Sequence, residues 1–393
     1  MGRSNNSELF PGYATDITPT VRPLPYYGKS FYPGERELGA ALRKDTVALV
    51  ARRLPWHHLR GLAHGSVPRF VETYRKAWPV FLRTDIASFY PSIRHRDLVV
   101  GVQLAYRDLL GLSYVPSGFK RRYLAPLTRW CEALPLRRGI PLGSPVSAIA
   151  APLMLTPLWL ELRRRFGTPL MVCMDDVLVC CRDEAQCAEV FALLENRLHD
   201  DYGLSLHPGK TVSGRFGSGR FDFCGWRLAG GYARIADDKA EAFGERIARV
   251  ALSRQSLPPR ALVKRINRLV DAFGHYYKHG NVKRQFEALD IRVRSVLRRC
   301  LRGAGRRRIG NEELASLGLH SLTDIRARWQ ERQTPASSRR ALRRAEPPAR
   351  DISRSDSRDD IAAALECIDG KLTQLIRLQR SLLTLLGDTL RNY

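Results

Sequence analysis

Residues 169–181 read PLMVCMDDVLVCC, an apolar run broken only by the adjacent acids Asp175 and Asp176. A carboxylate set among apolar residues either neutralises itself or finds a cation. One strand bent at the acids, with both exposed at the bend, would satisfy that pattern cheaply. It leaves a third acid unexplained. Upstream, Trp78–Ile86 (WPVFLRTDI) has the composition of a buried strand and carries Asp85 at its end. Two strands ending side by side bring all three carboxylates to one edge. A cluster of hard oxygens suits Mg²⁺, with Mn²⁺ as the alternative. Two such ions about 4 Å apart are the usual device for in-line phosphoryl transfer.

Working outward, five segments resemble the ordered motifs of reverse transcriptases. Thr84–His95 (TDIASFYPSIRH) is similar to motif A and Gly139–Ala148 (GIPLGSPVSA) to motif B. Cys173–Asp176 (CMDD) is similar to motif C, Gly203–Thr211 (GLSLHPGKT) to motif D and Phe221–Leu228 (FDFCGWRL) to motif E. They follow in order over about 145 residues. Any one alone would be weak, since paired Asp residues are common.

The resemblance implies an α+β right-hand polymerase fold: fingers, a palm of antiparallel sheet and helices, and a helical thumb, followed here by a C-terminal helix. It implies two metal ions on Asp85, Asp175, Asp176 and the main chain of Ile86. Lys210 becomes a general acid near the pyrophosphate; the alternative is a solvated loop lysine. Ser88, Phe89, Tyr90, Pro141, Leu142 and Gly143 would surround the incoming deoxynucleotide, and Ser147 would contact the template or base region. The Tyr90 ring would pack on the sugar C2′ and exclude a hydroxyl there; the alternative makes Phe89 and Tyr90 core residues. Phe223, Cys224, Gly225 and Trp226 would form the primer grip. Two positions depart from the family pattern. Cys173 stands where most members carry an aromatic residue, and Leu142 where many carry Gln. An aliphatic residue at Leu142 is also found in error-prone diversity-generating enzymes, but Ala148 breaks their usual Ser-Gln pair.

The expected organisation has five parts. Residues 1–76 supply an N-terminal extension and fingers, with a helical stretch near Leu38–Leu54. Residues 77–230 form the palm with interleaved fingers, including a helix over Val146–Leu162. Residues 231–330 form a basic helical thumb, 331–360 a polar linker, and 361–393 a last helix. In the thumb, Leu262, Ile266, Leu269, Val270, Phe273 and Tyr277 share one helical face. Leu289, Val293, Val296, Leu297 and Leu301 share another. Between them, Phe273–Phe286 resembles the maturase-like segment of group II intron enzymes. Tyr276, Tyr277 and His275 either stack bases or pack in the core. Residues 292–308 hold eight Arg and no acid, so Lys283, Arg284, Arg292, Arg298, Arg299 and Arg302 are expected to track phosphates. Arg43 and Lys44 are the expected fingers cations. The last helix carries a heptad seam from Ile361 to Leu386, for self-association, a helical protein partner, or docking on its own core.

The whole chain agrees with a nucleic-acid partner. Its 393 residues carry 65 Lys and Arg against 39 Asp and Glu, a formal excess of +26. Such an excess repels itself unless a polyanion neutralises it. No apolar run is long enough to cross a membrane. The eight cysteines include no C-x-x-C pair, so reduced thiols in a bacterial cytoplasm are expected. The expected partners are an RNA template, dNTPs and a DNA product. The expected activity is RNA-directed DNA synthesis on an associated structured RNA, with phage defence as its biological setting. The alternatives are a silent RNA-binding or splicing factor on the same fold, template-independent or protein-primed synthesis, and a homo-oligomeric scaffold.

Overall fold

The computed structural model describes residues 31–57, 65–230, 232–254, 257–302 and 309–333. The expected linker and C-terminal heptad helix lie outside them.

The chain opens with helices α1 (Glu35–Arg53) and α2 (Ser66–Tyr74), then strand β1 (Val80–Asp85). A short turn of helix, α3 (Phe89–Ser92), leads into α4 (His95–Leu110). Next come α5 (Ser117–Phe119), which widens into one π-type turn, and α6 (Ala125–Glu132). Helices α7 (Ser147–Met154) and α8 (Thr156–Phe166) follow, and then the hairpin β2 (Leu170–Cys173) and β3 (Asp176–Cys181). Helix α9 (Glu184–Tyr202) precedes four short strands: β4 (Val212–Arg215), β5 (Arg220–Phe223), β6 (Trp226–Ala229) and β7 (Tyr232–Ile235). Five helices complete the described chain: α10 (Asp237–Leu252), α11 (Pro259–Tyr277), α12 (Lys283–Arg302), α13 (Asn311–Ser316) and α14 (Leu322–Gln333).

The apolar run 169–181 is two strands joined at Met174–Asp175, with the bend at the acids that the sequence allowed, because a two-residue turn lets both arms bury their apolar residues. Two sequence expectations change. The helix expected over Val146–Leu162 is split at Leu155, and Pro157, which has no N–H to donate, sits in the first turn of the second piece. The region after residue 230, expected to be helical throughout, starts with β7, which completes a β5-β6-β7 antiparallel meander.

The main sheet has the order β2-β3-β1-β4, all antiparallel. It is covered on both faces, and its side chains alternate between two cores. Val80 and Leu82 of β1 and Val177, Val179 and Cys181 of β3 pack into the first core, with α1, α4 and α6 to α9. Phe81, Leu178 and Cys180 point the other way, into a second core built by α2, the meander and α10 to α14. This two-sided burial explains why β1 and β3 are nearly continuous apolar runs. It also leaves the strand ends as the place where polar groups can reach solvent.

Helix α9 shows how local sequence fixes an end. Asp183 accepts from the Gln186 N–H at 2.8 Å, and the Gln186 side chain accepts from the Arg182 N–H at 2.9 Å. The first bond satisfies a donor that the opening helical turn leaves free, and the second ties down the residue before the cap. Gly203, at φ 59°, closes the other end.

The C-terminal helices are held by one buried acid. Asp290 of α12 is 3% exposed. Its carboxylate accepts from the N–H groups of Leu322 and Thr323 at 2.8 and 3.1 Å and from the hydroxyls of Ser321 and Thr323. A remote side chain therefore caps α14. Removing it strands several buried donors. We expect Asp290→Ala to lower the free energy of unfolding by about 2–4 kcal/mol in urea titration, with Asp290→Asn recovering part of the loss. An unchanged midpoint for the alanine variant would contradict the cap.

Candidate active site

The antiparallel register sets Asp85, the last residue of β1, directly opposite Asp176, the first of β3. Asp175 occupies the adjoining turn, where its carbonyl accepts from the Ile86 N–H at 3.2 Å. The turn is tight: Cys173 pairs with Asp176, and Met174 is forced to φ 61°. A side chain other than Gly in that region costs about 1 kcal/mol or more, and strain of this kind collects at functional turns.

Asp85 is nearly buried, at 5% exposure. Burial first, and the nearby charge of Asp85 second, push the Asp175 carboxyl up to about 6. Burial also raises Asp176, against the pull of Arg83. The chain partly offsets this crowding with its own cations. Lys210 Nζ donates to Asp85 Oδ2 at 2.7 Å. Arg83 Nη2 donates to Asp176 Oδ1 at 2.8 Å, and its Nη1 donates to the Lys210 carbonyl at 2.7 Å. One arginine thus ties the acid of β3 to the loop that carries Lys210. The His207 N–H also bonds the Asp85 carbonyl, at 2.7 Å.

Arg83 escaped the sequence reading. Its signal was the strand period, since residues two apart share a face, so Arg83 had to lie on the side of Asp85. The set fits hard divalent cations, because three acids meet at one edge and burial and mutual repulsion raise two of them. Among the described residues no three His, Cys, Asp or Glu side chains are drawn together as a finished ligand cage. Lys210 and Arg83 hold two of the acids instead.

The segment after Asp85 behaves as two layers. Ser88 takes φ 46° and turns the chain. Phe89 is buried in the first core, whereas Tyr90 is half-buried with its hydroxyl 3.8 Å from Met174 Sδ. Only one of the two rings is therefore core. Burial, followed by the charge of Asp175, pushes the Tyr90 phenol up to about 12, so it stays a neutral donor. The Tyr90 carbonyl accepts from Ile140 N–H at 3.0 Å, which sets the 139–148 segment alongside. There Pro141 is buried, Leu142 is 54% exposed, and Gly143 takes φ 92°. Ser147 is fully buried, which corrects its expected contact with template or base. A further tie was invisible in sequence: Ser144 Oγ donates to buried Glu35 of α1.

The β5–β6 turn corrects another expectation. Phe223 and Trp226 are 0% and 1% exposed, so neither side chain can hold a primer; both are core. Only Cys224 and Gly225 project, at φ 48° and 80°, the pattern of a type I′ turn. Cys224 Sγ lies 3.8 Å from Asp176 Oδ2. Its thiol is raised chiefly by a hydrogen bond with Cys173 and by burial. Helix α11 fixes the turn, with Tyr276 Oη on the Cys224 carbonyl at 2.9 Å and Tyr277 Oη on that of Gly225 at 3.1 Å. Both tyrosines act as anchors here rather than as base-stacking rings.

On α12, Lys283, Arg284, Arg292 and Arg299 are exposed. Arg298 departs from the expected phosphate track: its guanidinium is spent on the Ile309 carbonyl at 3.1 Å and on Asn311. The side chain of Arg302 lies outside the described residues. Arg43 and Lys44 are exposed on α1, and neither belongs to the bonding network of the acids.

Residues 42–228 match the family model "Reverse transcriptase (RNA-dependent DNA polymerase)". Residues 240–311 match "Group II intron, maturase-specific domain". No curated protein matches the sequence significantly. Among solved structures, the chain is similar to a telomerase from Candida albicans in complex with a TWJ fragment of telomeric RNA, at 12% identity and TM-score 0.38, covering 80% of this chain and 57% of that one. It is also similar to apo telomerase from Candida tropicalis, at 11% identity and TM-score 0.42, covering 70% and 50%. The chain thus spans only about half the length of these telomerases. The two family models, in this order along one chain, place it among the reverse transcriptases of group II intron-like type, with a right-hand polymerase fold.

Proposed function

We propose that the chain is an active RNA-directed DNA polymerase that copies an associated structured RNA. The single observation that carries this reading is the meeting of Asp85, Asp175 and Asp176 at one sheet edge inside a chain of this family. In this reading β1 to β6 belong to the palm with its interleaved fingers, α1 and α2 to the fingers and α10 to α14 to the thumb.

Asp85, Asp175 and Asp176, with the Ile86 main chain beside them, would hold two Mg²⁺ or Mn²⁺ ions, which when bound activate a primer hydroxyl and neutralise nucleotide phosphates. The chain's own residues do the rest. Arg83 keeps Asp176 and the Lys210 loop in register. Lys210, half-exposed on a flexible stem, swings from Asp85 to donate a proton to the departing pyrophosphate. Tyr90 closes the sugar side of the nucleotide site against a 2′-hydroxyl. Ser88, exposed Leu142 and Gly143 line its approach, which buried Pro141 does not reach, and the Cys224–Gly225 turn supports the primer end. Cys173, with its small side chain, leaves room where the family commonly has a ring. Exposed Lys283, Arg284, Arg292 and Arg299 track the phosphates of the RNA–DNA duplex. The proposed setting is the bacterial cytoplasm, in phage defence, by resemblance to stand-alone prokaryotic enzymes.

A second reading has one observation in its favour. The maturase-specific match over residues 240–311 supports an RNA-binding role in splicing, with or without DNA synthesis.

Primer extension on a defined RNA template separates the two. Asp85→Asn and Asp175→Asn should each reduce DNA synthesis at least about a hundredfold, with RNA affinity unchanged; synthesis retained in either variant would contradict the assignment. Tyr90→Ala should relax the preference for deoxynucleotides about ten- to a hundredfold. Single-nucleotide incorporation with paired dNTP and rNTP measures this, and an unchanged ratio would move the sugar gate elsewhere.

A further inference from the structure

A second concentration of arginine lies away from the acids. Helix α4 starts next to the Asp85 segment, where His95 Nε2 bonds the Gly139 carbonyl at 2.8 Å. It runs for 16 residues, about 24 Å at 1.5 Å per residue. At its far end it meets the C-terminal ends of α1 and α8. There Arg52, Arg53, Arg107, Arg163 and Arg164 line an open cleft of roughly 730 Å³, with Asp108 the sole acid on its wall.

The helix dipole explains part of this. Arginine in the last turn complements the negative end of a helix, and α1, α4 and α8 each carry it there. The dipole does not explain why three such ends converge on one concave surface, where like charges repel. Internal partners neutralise little of the charge. Arg107 pairs with Asp108 at 2.8 Å, and Arg163 donates to the Arg53 carbonyl at 2.6 Å. Arg52, Arg53 and Arg164 make no ion pair with a described residue.

Aromatic residues flank the cleft. A smaller cavity of roughly 210 Å³ shares Pro55 and Arg163 with it and is lined by half-buried Trp56, Tyr74 and Trp78, of which Trp56 and Tyr74 pack on Phe70 and Trp78 lies under the Arg182 guanidinium. On the other side, Leu112 lines the cleft, and Tyr114 close by is 67% exposed. Guanidinium groups with an exposed ring such as Tyr114 nearby suit single-stranded nucleic acid, with phosphates on the former and an unstacked base on the latter.

We propose that this cleft is a second RNA site, holding a single-stranded stretch of the RNA outside the catalytic groove. The proposal rests on the reading above that the chain binds an RNA. The stretch comes either from a flank of the copied RNA or from a separate RNA.

The test uses the full chain carrying Arg52→Glu and Arg164→Glu, both exposed positions outside the catalytic machinery. Binding of a long single-stranded RNA should weaken about tenfold, and the slope of log Kd against log salt should fall by about 1.5. Extension of a short primed template that fills only the catalytic groove should stay within about twofold of wild type. A photo-crosslinker replacing Leu112 should capture RNA, and this arm does not depend on how the double variant folds. Reads continuous with the copied RNA would assign the flank, and reads from another RNA a separate molecule; both support the site. Unchanged affinity and slope, or no crosslinked RNA, would overturn it. So would competition by polyglutamate equal to that by RNA, which would point to an acidic protein. Should the salt slope fall while wild type makes no DNA, the polymerase reading fails and this site stands. The reverse pattern, with synthesis dependent on Asp175 but an unchanged slope, removes the site and leaves the polymerase.

Discussion

The antiparallel pairing of β1 with β3 puts two carboxylates, Asp85 and Asp176, directly across from each other, and the turn adds a third. Nothing in the folding of the two cores asks for this. Like charges in a half-buried place cost stability, and the fold manages that cost rather than avoiding it. Arg83 and Lys210 each take one acid. The Asp175 carbonyl ties its turn to Ile86, and the Asp85 carbonyl ties its strand to His207. The Cys224 turn, fastened from behind by Tyr276 and Tyr277, closes the third side. A left-handed Met174 in the turn is a further cost of aiming Asp175 at the same point. The rest of the domain can be understood as rigid support for that point: two apolar cores on opposite sheet faces hold β1 and β3 from both sides.

How much of this the sequence disclosed depends on the range of the interaction involved. The strand ending on Asp85 and the pair at Asp175 and Asp176 were legible because short apolar runs with acids at their ends are a local pattern. The helical faces of α11 and α12 were legible for the same reason, as their period is written in Leu262, Ile266 and Val270 and in Val293, Val296 and Leu297. The errors are tertiary. Phe223 and Trp226 sit in a motif that reads as a surface grip, but the second core takes both rings. Ser147 looks available from composition, yet helix packing buries it. Arg298 looks like a free cation until the chain returns at Ile309 and Asn311. β7 carries only four residues, too few for a period to distinguish from a helix start. Arg83 was visible in principle by strand parity, but parity matters only once the pairing of β1 with β3 is known.

The positive charge of the chain takes on a spatial meaning in the same terms. Some of it is structural, as in Arg83 and Arg298, and some complements helix ends. What remains exposed on α12 and in the arginine cleft at the far ends of α1, α4 and α8 lies on surfaces far larger than a nucleotide. A fold that brings three acids to one edge, with unpaired guanidinium groups gathered on other faces, fits the proposal that one polyanion serves as both substrate and ligand.

The most direct measurement is to purify the chain with its bound nucleic acid from cells carrying its own locus, add labelled dNTPs and Mg²⁺, and sequence both the RNA and any product. Wild type should yield DNA complementary to a discrete co-purified RNA, and the Asp175→Asn, Asp176→Asn double variant should yield the RNA alone. Bound RNA with no DNA from wild type, across several primers and with Mn²⁺ as well, would contradict the account and leave the chain an RNA-binding relative of the polymerases.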